Sequence, residues 1–195
     1  DFDGLIDDQN NATKFENTIV GLKVNYLSLD KIWKQQLAIS QSSSHNKDFQ
    51  DSLPATATHS TKDQIRFIST KFWNKSSQRI SFLAEHEEEK FTQRGPINDY
   101  GIYGIFDPNQ KRSRKTKSIA VEFRTDIFNK TTLAVSTRRD DNSQFKDANT
   151  YKFEIMRNFF HHTRVRSTYG TAIKNPTFTE RFGFYTNFIG NPFLQ

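Results

Sequence analysis

Apolar and polar residues alternate with a period of two along most of this chain. The cleanest run is 116–127, where Ile119, Val121, Phe123 and Ile127 alternate with Ala120, Glu122, Arg124 and Asp126. Successive side chains of a strand point to opposite faces, so such alternation predicts a strand with one greasy and one polar side. Seven other runs follow the rule. Residues 15–29 place Val20, Leu22, Val24 and Tyr26 against Gly21, Lys23 and Asn25. Residues 33–43 place Trp33, Leu37 and Ile39 against Lys34, Gln36 and Ser40, with Gln35 breaking the pattern near one end. Residues 63–73 are ambiguous, because Ile65 and Phe67 compete with Ile68 and Phe72 for the apolar face. Residues 78–90 set Ile80, Phe82 and Ala84 against Ser81, Glu85 and Glu87. A sixth strand sets Leu133, Val135 and Thr137 against Ser136, Arg138 and Asp140, and a seventh sets Tyr151, Phe153 and Ile155 against Lys152 and Glu154. The eighth, from Thr163, sets Val165, Ser167 and Tyr169 against Arg164, Arg166 and Thr168.

The connections alternate in length. Short turns fall near 30, 75, 129 and 160; long polar loops are expected over 44–62, 91–115, 141–148 and beyond 173. Arg94-Gly95-Pro96, Asp107-Pro108-Asn109-Gln110 and Gly190-Asn191-Pro192 carry turn chemistry. Short turns on one side and long loops on the other are the habit of transmembrane barrels, and soluble barrels need no such asymmetry. The apolar face fits either a soluble core or a lipid-facing exterior, and the alternation alone does not choose between them. Trp33, Phe72, Trp73, Phe128, Phe159 and Phe160 sit beside the short turns, as in the aromatic girdle at a membrane boundary, and favour lipid. Orientation is the deciding test. In a membrane barrel Ile119, Val121 and Phe123 face outward, whereas Glu122 and Arg124 face a polar lumen.

Composition narrows the field. Only 34% of the 195 residues are hydrophobic and the mean hydropathy is −0.79, so no apolar run is long enough for a membrane helix. Low hydropathy does not exclude a barrel, because only every second strand residue meets lipid. The chain has no cysteine, which removes disulfides and thiolate chemistry. The net charge is +6, and its one basic run, 111–117 (KRSRKTK), reads as a solvated loop rather than a nucleic-acid site.

No nucleophile elbow, phosphate loop or dinucleotide fingerprint occurs, so no enzymatic activity and no cofactor are expected. His86-Glu87-Glu88-Glu89-Lys90 lacks the second histidine of a zinc helix and lies on a strand. His161 and His162 point to opposite faces if they continue a strand. Asp140, Asp141, Asn142 and Asp147 offer oxygen ligands for calcium without EF-hand spacing, and hydration is the simpler reading. Charged rows such as Glu122, Arg124 and Asp126 beside Lys152 and Glu154 are expected to pair across strands.

Two late segments carry a resemblance. Tyr169-Gly170-Thr171-Ala172-Ile173-Lys174-Asn175-Pro176-Thr177-Phe178 is similar to the YGTGFKAPTF segment of TonB-dependent outer-membrane receptors, and Gly190 to Gln195 (GNPFLQ) resembles the start of their GNPxLKPE segment. The departures are Ile173 for Phe, Asn175 for Ala and Gln195 for Lys. Ile80 to Glu89 (ISFLAEHEEE) resembles LTFGAEYEEE, and Leu133 to Asn142 (LAVSTRRDDN) resembles LTAGVRYDDN. Asp1-Phe2-Asp3-Gly4 and the two turn motifs around Gly95 and Pro108 also resemble loop segments of that family, the latter in its cobalamin-receptor-like members. The likeness is good over 78–195 and weak over 1–77.

The resemblance implies an all-β chain: about eight strands of an antiparallel, up-and-down transmembrane β-barrel in the Gram-negative outer membrane, with residues 1–195 a partial barrel domain lacking the plug and the remaining strands. It implies a receptor for a scarce nutrient, cobalamin or a ferric siderophore, taken up with energy delivered by TonB through a missing N-terminal region. The expected partners are outer-membrane lipid, the TonB complex and the small nutrient; nucleic acid is not among them. External loops would contact ligand, and Arg94, Tyr100, Tyr103, Phe106, Phe178, Phe184 and Tyr185 are the candidates, since aromatics and Arg dominate recognition hot spots. A passive porin or adhesin barrel, and a soluble secreted β-barrel binding module, are the alternatives.

Overall fold

The computed structural model describes residues 11–73, 77–99, 101–103, 105–128, 130–160, 163–182, 184–185 and 188–194. The motif at Asp1–Gly4 and the pair His161-His162 lie outside the described residues. The strands are β1 (Ala12–Leu27), β2 (Trp33–Gln50), β3 (Leu53–Trp73), β4 (Gln78–Arg94), β5 (Asn98–Asp99), β6 (Ile105–Phe106), β7 (Gln110–Ile127), β8 (Thr131–Asn142), β9 (Ala148–Asn158), β10 (Arg164–Gly170), β11 (Phe184–Tyr185) and β12 (Phe188–Ile189). One five-residue helix, α1 (Phe178–Phe182), and a 3-10 turn at Gly101–Tyr103 complete the elements.

Eight strands form a single antiparallel sheet in the order β1-β2-β3-β4-β7-β8-β9-β10. Each is bonded to its neighbour in sequence, apart from the excursion through the small β5–β6 ladder. This is the wall of an up-and-down barrel, open along β1 and β10, each of which has one partner among the described residues.

Register settles the ambiguity in β3. Ile65 lies opposite Ile39 and His86, and Phe67 opposite Leu37 and Ala84, which puts both on the apolar face. Ile68 lies opposite Gln36 and Leu83 and joins the other face.

Two predicted loops are corrected. Residues 44–62 are paired strand almost to the tip of the β2–β3 hairpin, from Gln50↔Leu53 inward. Asp51 and Ser52, at φ 51° and 64°, turn the chain in the two-residue, left-handed manner that suits the twist of a hairpin. Pro54 is accommodated where the register shifts between Asp48 and Phe49, leaving Ala55 as the extra residue of a bulge. Likewise, much of 91–115 is strand: β4 runs to Arg94 and β7 begins at Gln110, so only 95–109 forms the connection. The basic run 111–117 is therefore not a loop but the outer end of β7.

Burial is inverted relative to a soluble domain. Among the described residues the buried apolar set is Phe91 and Ala134, whereas Glu85, Gln93, Ser118, Thr131, Asp140, Asn142 and Glu154 are buried. Ile119, Val121 and Phe123 are 53%, 38% and 39% exposed, and Glu122 and Arg124 on the opposite face are half-buried. Among the described residues, no second layer covers the apolar face of β7. From Ile119 to Ile127 that face runs roughly 26 Å at ~3.3 Å per residue, which at a ~40° tilt covers about 20 Å of the roughly 25 Å apolar band of a membrane barrel. Trp33 and Trp73 lie at its lower edge. Trp33 Nε1 donates to Ser69 Oγ at 2.7 Å, and Trp73 stacks on Phe123 at 6.1 Å.

Candidate functional site

The enclosed face carries a connected array of charge. Register places Arg66, Glu85, Ser118 and Asp140 in one row across β3, β4, β7 and β8. Arg66 Nε bonds Glu85 Oε2 at 2.5 Å. Arg138 Nη2 reaches the other oxygen, Oε1, at 3.0 Å and donates to Ser118 Oγ at 2.8 Å. Its Nε donates to Asp140 Oδ1 at 2.9 Å, and Ser118 Oγ donates to the same oxygen at 2.5 Å. Both Glu85 oxygens and Asp140 Oδ1 therefore have a charged or hydroxyl partner, which is what makes ionised groups tolerable at this depth. Toward the long-loop end, Lys62 pairs with Glu87 at 2.7 Å, and Arg114 is bound to Glu89 through Nε, at 2.7 Å, and Nη2. On β9 and β10, Arg166 bonds Glu154 at 2.5 Å. Of the rows singled out in the sequence, Glu122 pairs across strands with Arg79 at 3.5 Å and Glu154 with Arg166, but β8 separates β7 from β9, so the two rows do not pair with each other.

After β10 the described residues 171–182, 184–185 and 188–194 fold back over this face as a strap. Thr177-Phe178-Thr179-Glu180 forms a reciprocal cap at the start of α1. Glu180 N–H donates to Thr177 Oγ1 at 3.1 Å, and Thr177 N–H donates to Glu180 Oε2 at 2.7 Å. These bonds, with Lys174 at 3.2 Å, hold the Glu180 carboxyl below the usual glutamate range. Phe178 stacks on Phe91 at 5.8 Å, and the Arg114 guanidinium lies 5.1 Å from the Phe178 ring. Arg114 Nη1 also donates to the Pro176 carbonyl at 2.8 Å, while Gln110 bonds the Phe182 carbonyl. Arg181 bridges to Gln144 at 2.9 Å and to the Pro192 carbonyl at 2.8 Å, and lies over Phe145. Gly190 lets the returning chain touch α1: a Cβ there would meet Arg181 C and Phe182 N at 2.6 Å.

Two cavities border the strap. One of about 370 Å³ lies beneath it, lined by Glu85, Glu87, Arg114, Arg138, Asp140 and Ile173 among others. One of about 820 Å³ lies between it and the β8–β9 loop, lined by residues including Phe145, Lys146, Lys174, Arg181 and Phe193. Both fall in the range that encloses small ligands.

Ionised side chains enclosed on one face of a sheet, and bare isoleucine, valine and phenylalanine on the other, require lipid outside and water inside. A family model for the β-barrel of TonB-dependent receptor-like proteins matches residues 1–195. The chain belongs to the TonB-dependent receptor family. This is a family of outer-membrane receptors and transporters of Gram-negative bacteria, and the strands β1–β4 and β7–β10 are part of its barrel wall. The enclosed face is the lumen, and the strap closes over its long-loop end.

The loop residues singled out in the sequence are spread over the receptor. Phe178 is in the strap, on the lumen side. Arg94 ends β4 on the other face, beside Ala55, Gly95 and Pro96 and near the tip of the β2–β3 hairpin. Tyr103 belongs to the 3-10 turn, Phe106 to β6, and Phe184 and Tyr185 to β11. Tyr100 lies outside the described residues. Sequence reasoning missed Phe91, Arg114, Phe145 and Arg181. Arg114 was hidden in the basic run, and the T-x-x-E signal of the cap at Thr177 was there to be read. The oxygens considered for calcium diverge: Asp140 is held by Arg138 and Ser118, Asn142 accepts from the Gln144 and Phe145 amides, and Asp147 pairs with Arg139 at 2.5 Å. His86 and Glu88 share one face of β4, with Glu87 and Glu89 on the other, in line with a strand.

Proposed function

We propose that this barrel segment serves energy-coupled uptake of a scarce nutrient, a ferric siderophore or cobalamin, with the strap and the β8–β9 loop forming part of the ligand-facing mouth. The plug, the TonB-contacting segment and the remaining strands of the barrel would come from other parts of the receptor. The observation that carries this reading is the aromatic–guanidinium cluster of Phe91, Phe145, Phe178, Arg114 and Arg181, gathered at the long-loop end of a charged lumen. Guanidinium groups over aromatic rings offer both a flat apolar contact and charge to an anionic or aromatic nutrient. Phe178 is its central loop residue. Tyr100, Tyr103, Phe106, Phe184 and Tyr185 would add contacts from the neighbouring loops, and Arg94 would act from the outer rim.

The test uses the full-length receptor in cells starved of iron or cobalamin, supplied with cyanocobalamin or with catecholate, hydroxamate and citrate complexes of iron. One class of nutrient should bind and be imported only when TonB is present, and Phe178→Ala with Arg181→Ala should weaken binding at least ten-fold. Import that persists without TonB would make the receptor a passive barrel. Binding unchanged in the double variant would remove the strap from the ligand site.

A further inference from the structure

The projecting half of the β2–β3 hairpin carries one histidine on each strand. Register sets His45 directly opposite His59, three pleat repeats beyond the pair Ile39↔Ile65 that ends the apolar band on these strands. Six residues at ~3.3 Å carry the chain roughly 20 Å along the strand, which at a ~40° tilt is about 15 Å above that band. The pleat keeps both histidines on the outward face. They therefore meet the aqueous exterior, outside the lumen and apart from the strap.

Opposite positions of an antiparallel pair bring Cβ atoms to about 4.5–5.5 Å. The two imidazoles use that closeness: their ring centroids are 3.9 Å apart, with 25° between the planes. His45 is exposed and His59 half-buried. His59 Nδ1 is shut off from solvent and has no hydrogen-bond partner. A buried ring nitrogen left unbonded is uncommon in folded proteins, and a bound ion is one of the ordinary ways of satisfying it. Imidazole is a ligand for zinc, copper and nickel, and either ring nitrogen can serve. Metal–nitrogen bonds of about 2.0–2.1 Å need two donor nitrogens roughly 3 Å apart. Rings already in contact reach that geometry by rotation of the exposed His45 side chain.

The surroundings set the class of ion. Glu16 faces His45 from β1 and is paired with Lys14 at 2.7 Å; Thr92 faces His59 from β4; Lys47 follows His45 by one pleat repeat and lies opposite Lys14. One carboxylate against two ammonium groups gives a hard cation such as calcium or magnesium little to hold, so the attraction must come from the imidazoles. Among the described residues no group of three or more histidines and carboxylates is arranged to hold a metal, so water would fill the positions that the two nitrogens leave open.

We propose that His45 and His59 form a two-nitrogen chelate for a first-row transition-metal dication, zinc or copper, on the outer surface of the hairpin. The bound ion ties β2 to β3 through their side chains, in addition to the backbone ladder, where the hairpin projects from the membrane. The site stands apart from the ligand-facing mouth, and nutrient uptake neither requires nor excludes it.

The experiment titrates the full-length receptor in detergent, first stripped with a chelator, with copper(II) and separately with zinc chloride by calorimetry, and records the electron paramagnetic resonance of the first equivalent of copper. His45→Gln and His59→Gln are the test variants, and Lys47→Gln is the control. Losing a ligand costs no less than losing an outer-shell partner of one, so each histidine variant should bind at least about ten-fold more weakly. Copper should bind more tightly than zinc, and its spectrum in wild type should show coupling to two imidazole nitrogens that is lost in either histidine variant. Lys47→Gln should bind at least as tightly as wild type, and millimolar calcium should not compete. Equal affinity in wild type and the histidine variants, an unchanged copper spectrum, a loss in Lys47→Gln as large as in the histidine variants, or displacement by calcium would each overturn the proposal and leave the histidines as a stacked pair only. Heat-modifiable gel mobility of every variant verifies that the barrel is intact.

Discussion

Ala134 and Glu154 face each other across β8 and β9, and both are buried. One residue further along each strand, Val135 and Phe153 also face each other, and they are 52% and 44% exposed. In a soluble protein the glutamate would be outside and the phenylalanine inside. Here the two faces of the sheet have exchanged solvents. The outward face needs no specific partner, because acyl chains accept any apolar shape. The lumen face holds part-buried ionised groups side by side, and Glu85, Glu89, Asp140 and Glu154 each have a partner of opposite charge there. Tolerance is therefore a property of the outer face and specificity a property of the inner one. Substitutions separate the two.

The largest effect is expected where a charge enters the lipid face. Phe153→Arg puts a guanidinium among Val135, Ile155 and Tyr169 on the apolar band and should cost about 2–4 kcal/mol near the membrane midplane. Urea titration of folding into phospholipid vesicles measures it. Phe153→Leu should fold almost as well as wild type. If arginine is tolerated as well as leucine, the outward face does not meet hydrocarbon.

Within the lumen the strap is the most sensitive to shape. Gly190→Ala places a methyl group against backbone atoms of Arg181 and Phe182, which cannot swing aside as a side chain would. Overpacking of this kind costs about 1–3 kcal/mol. The loss falls on strap docking rather than on the barrel, so the variant should remain heat-modifiable while protease cleaves within 171–194. An intact strap would show that the contact is relieved elsewhere.

Charge pairing in the lumen comes next. Glu85→Ala leaves Arg66 and Arg138 without their shared acceptor. Both arginines keep about 40% of their side-chain surface in water, so the loss should be about 1–2 kcal/mol rather than the larger cost of a fully buried orphan charge. A double-mutant cycle with Arg138→Ala should recover part of it, and additive losses would mean that Glu85 and Arg138 are not coupled.

These contrasts also explain what could be read in advance. Within the apolar band the alternation of Ile119, Val121 and Phe123 with Glu122 and Arg124 reflects two different solvents, so strands and faces were plain. Beyond the band, over 41–50, 53–62, 90–94 and 110–117, both faces are largely polar. The hydrogen-bond ladder continues there, but the alternation has no reason to, and polar composition looked like loop. The site was less legible still. The Arg66–Glu85–Arg138 row depends on register between strands distant in sequence, and Phe91 meets Phe178 only because the strap folds back across β4.

The smallest effect tests whether the strap obeys the rule of the lumen, that a charged group persists where it is bonded. Glu180 accepts the Thr177 amide and the Lys174 ammonium, and these bonds lower its pKa below that of an unfolded glutamate. A carboxyl with a depressed folded-state pKa contributes stability that is complete above the unfolded value and is lost as pH falls through the folded one. Acidification below the ordinary glutamate range should therefore loosen the first turn of α1 and raise protease cleavage near Phe178 while the barrel stays folded. Glu180→Gln keeps the geometry of the reciprocal cap but cannot titrate, so its cleavage should be nearly independent of pH over the same interval. If wild type and Glu180→Gln loosen together on acidification, the sensitivity belongs to the carboxylates of the lumen beneath the strap rather than to the strap's own cap.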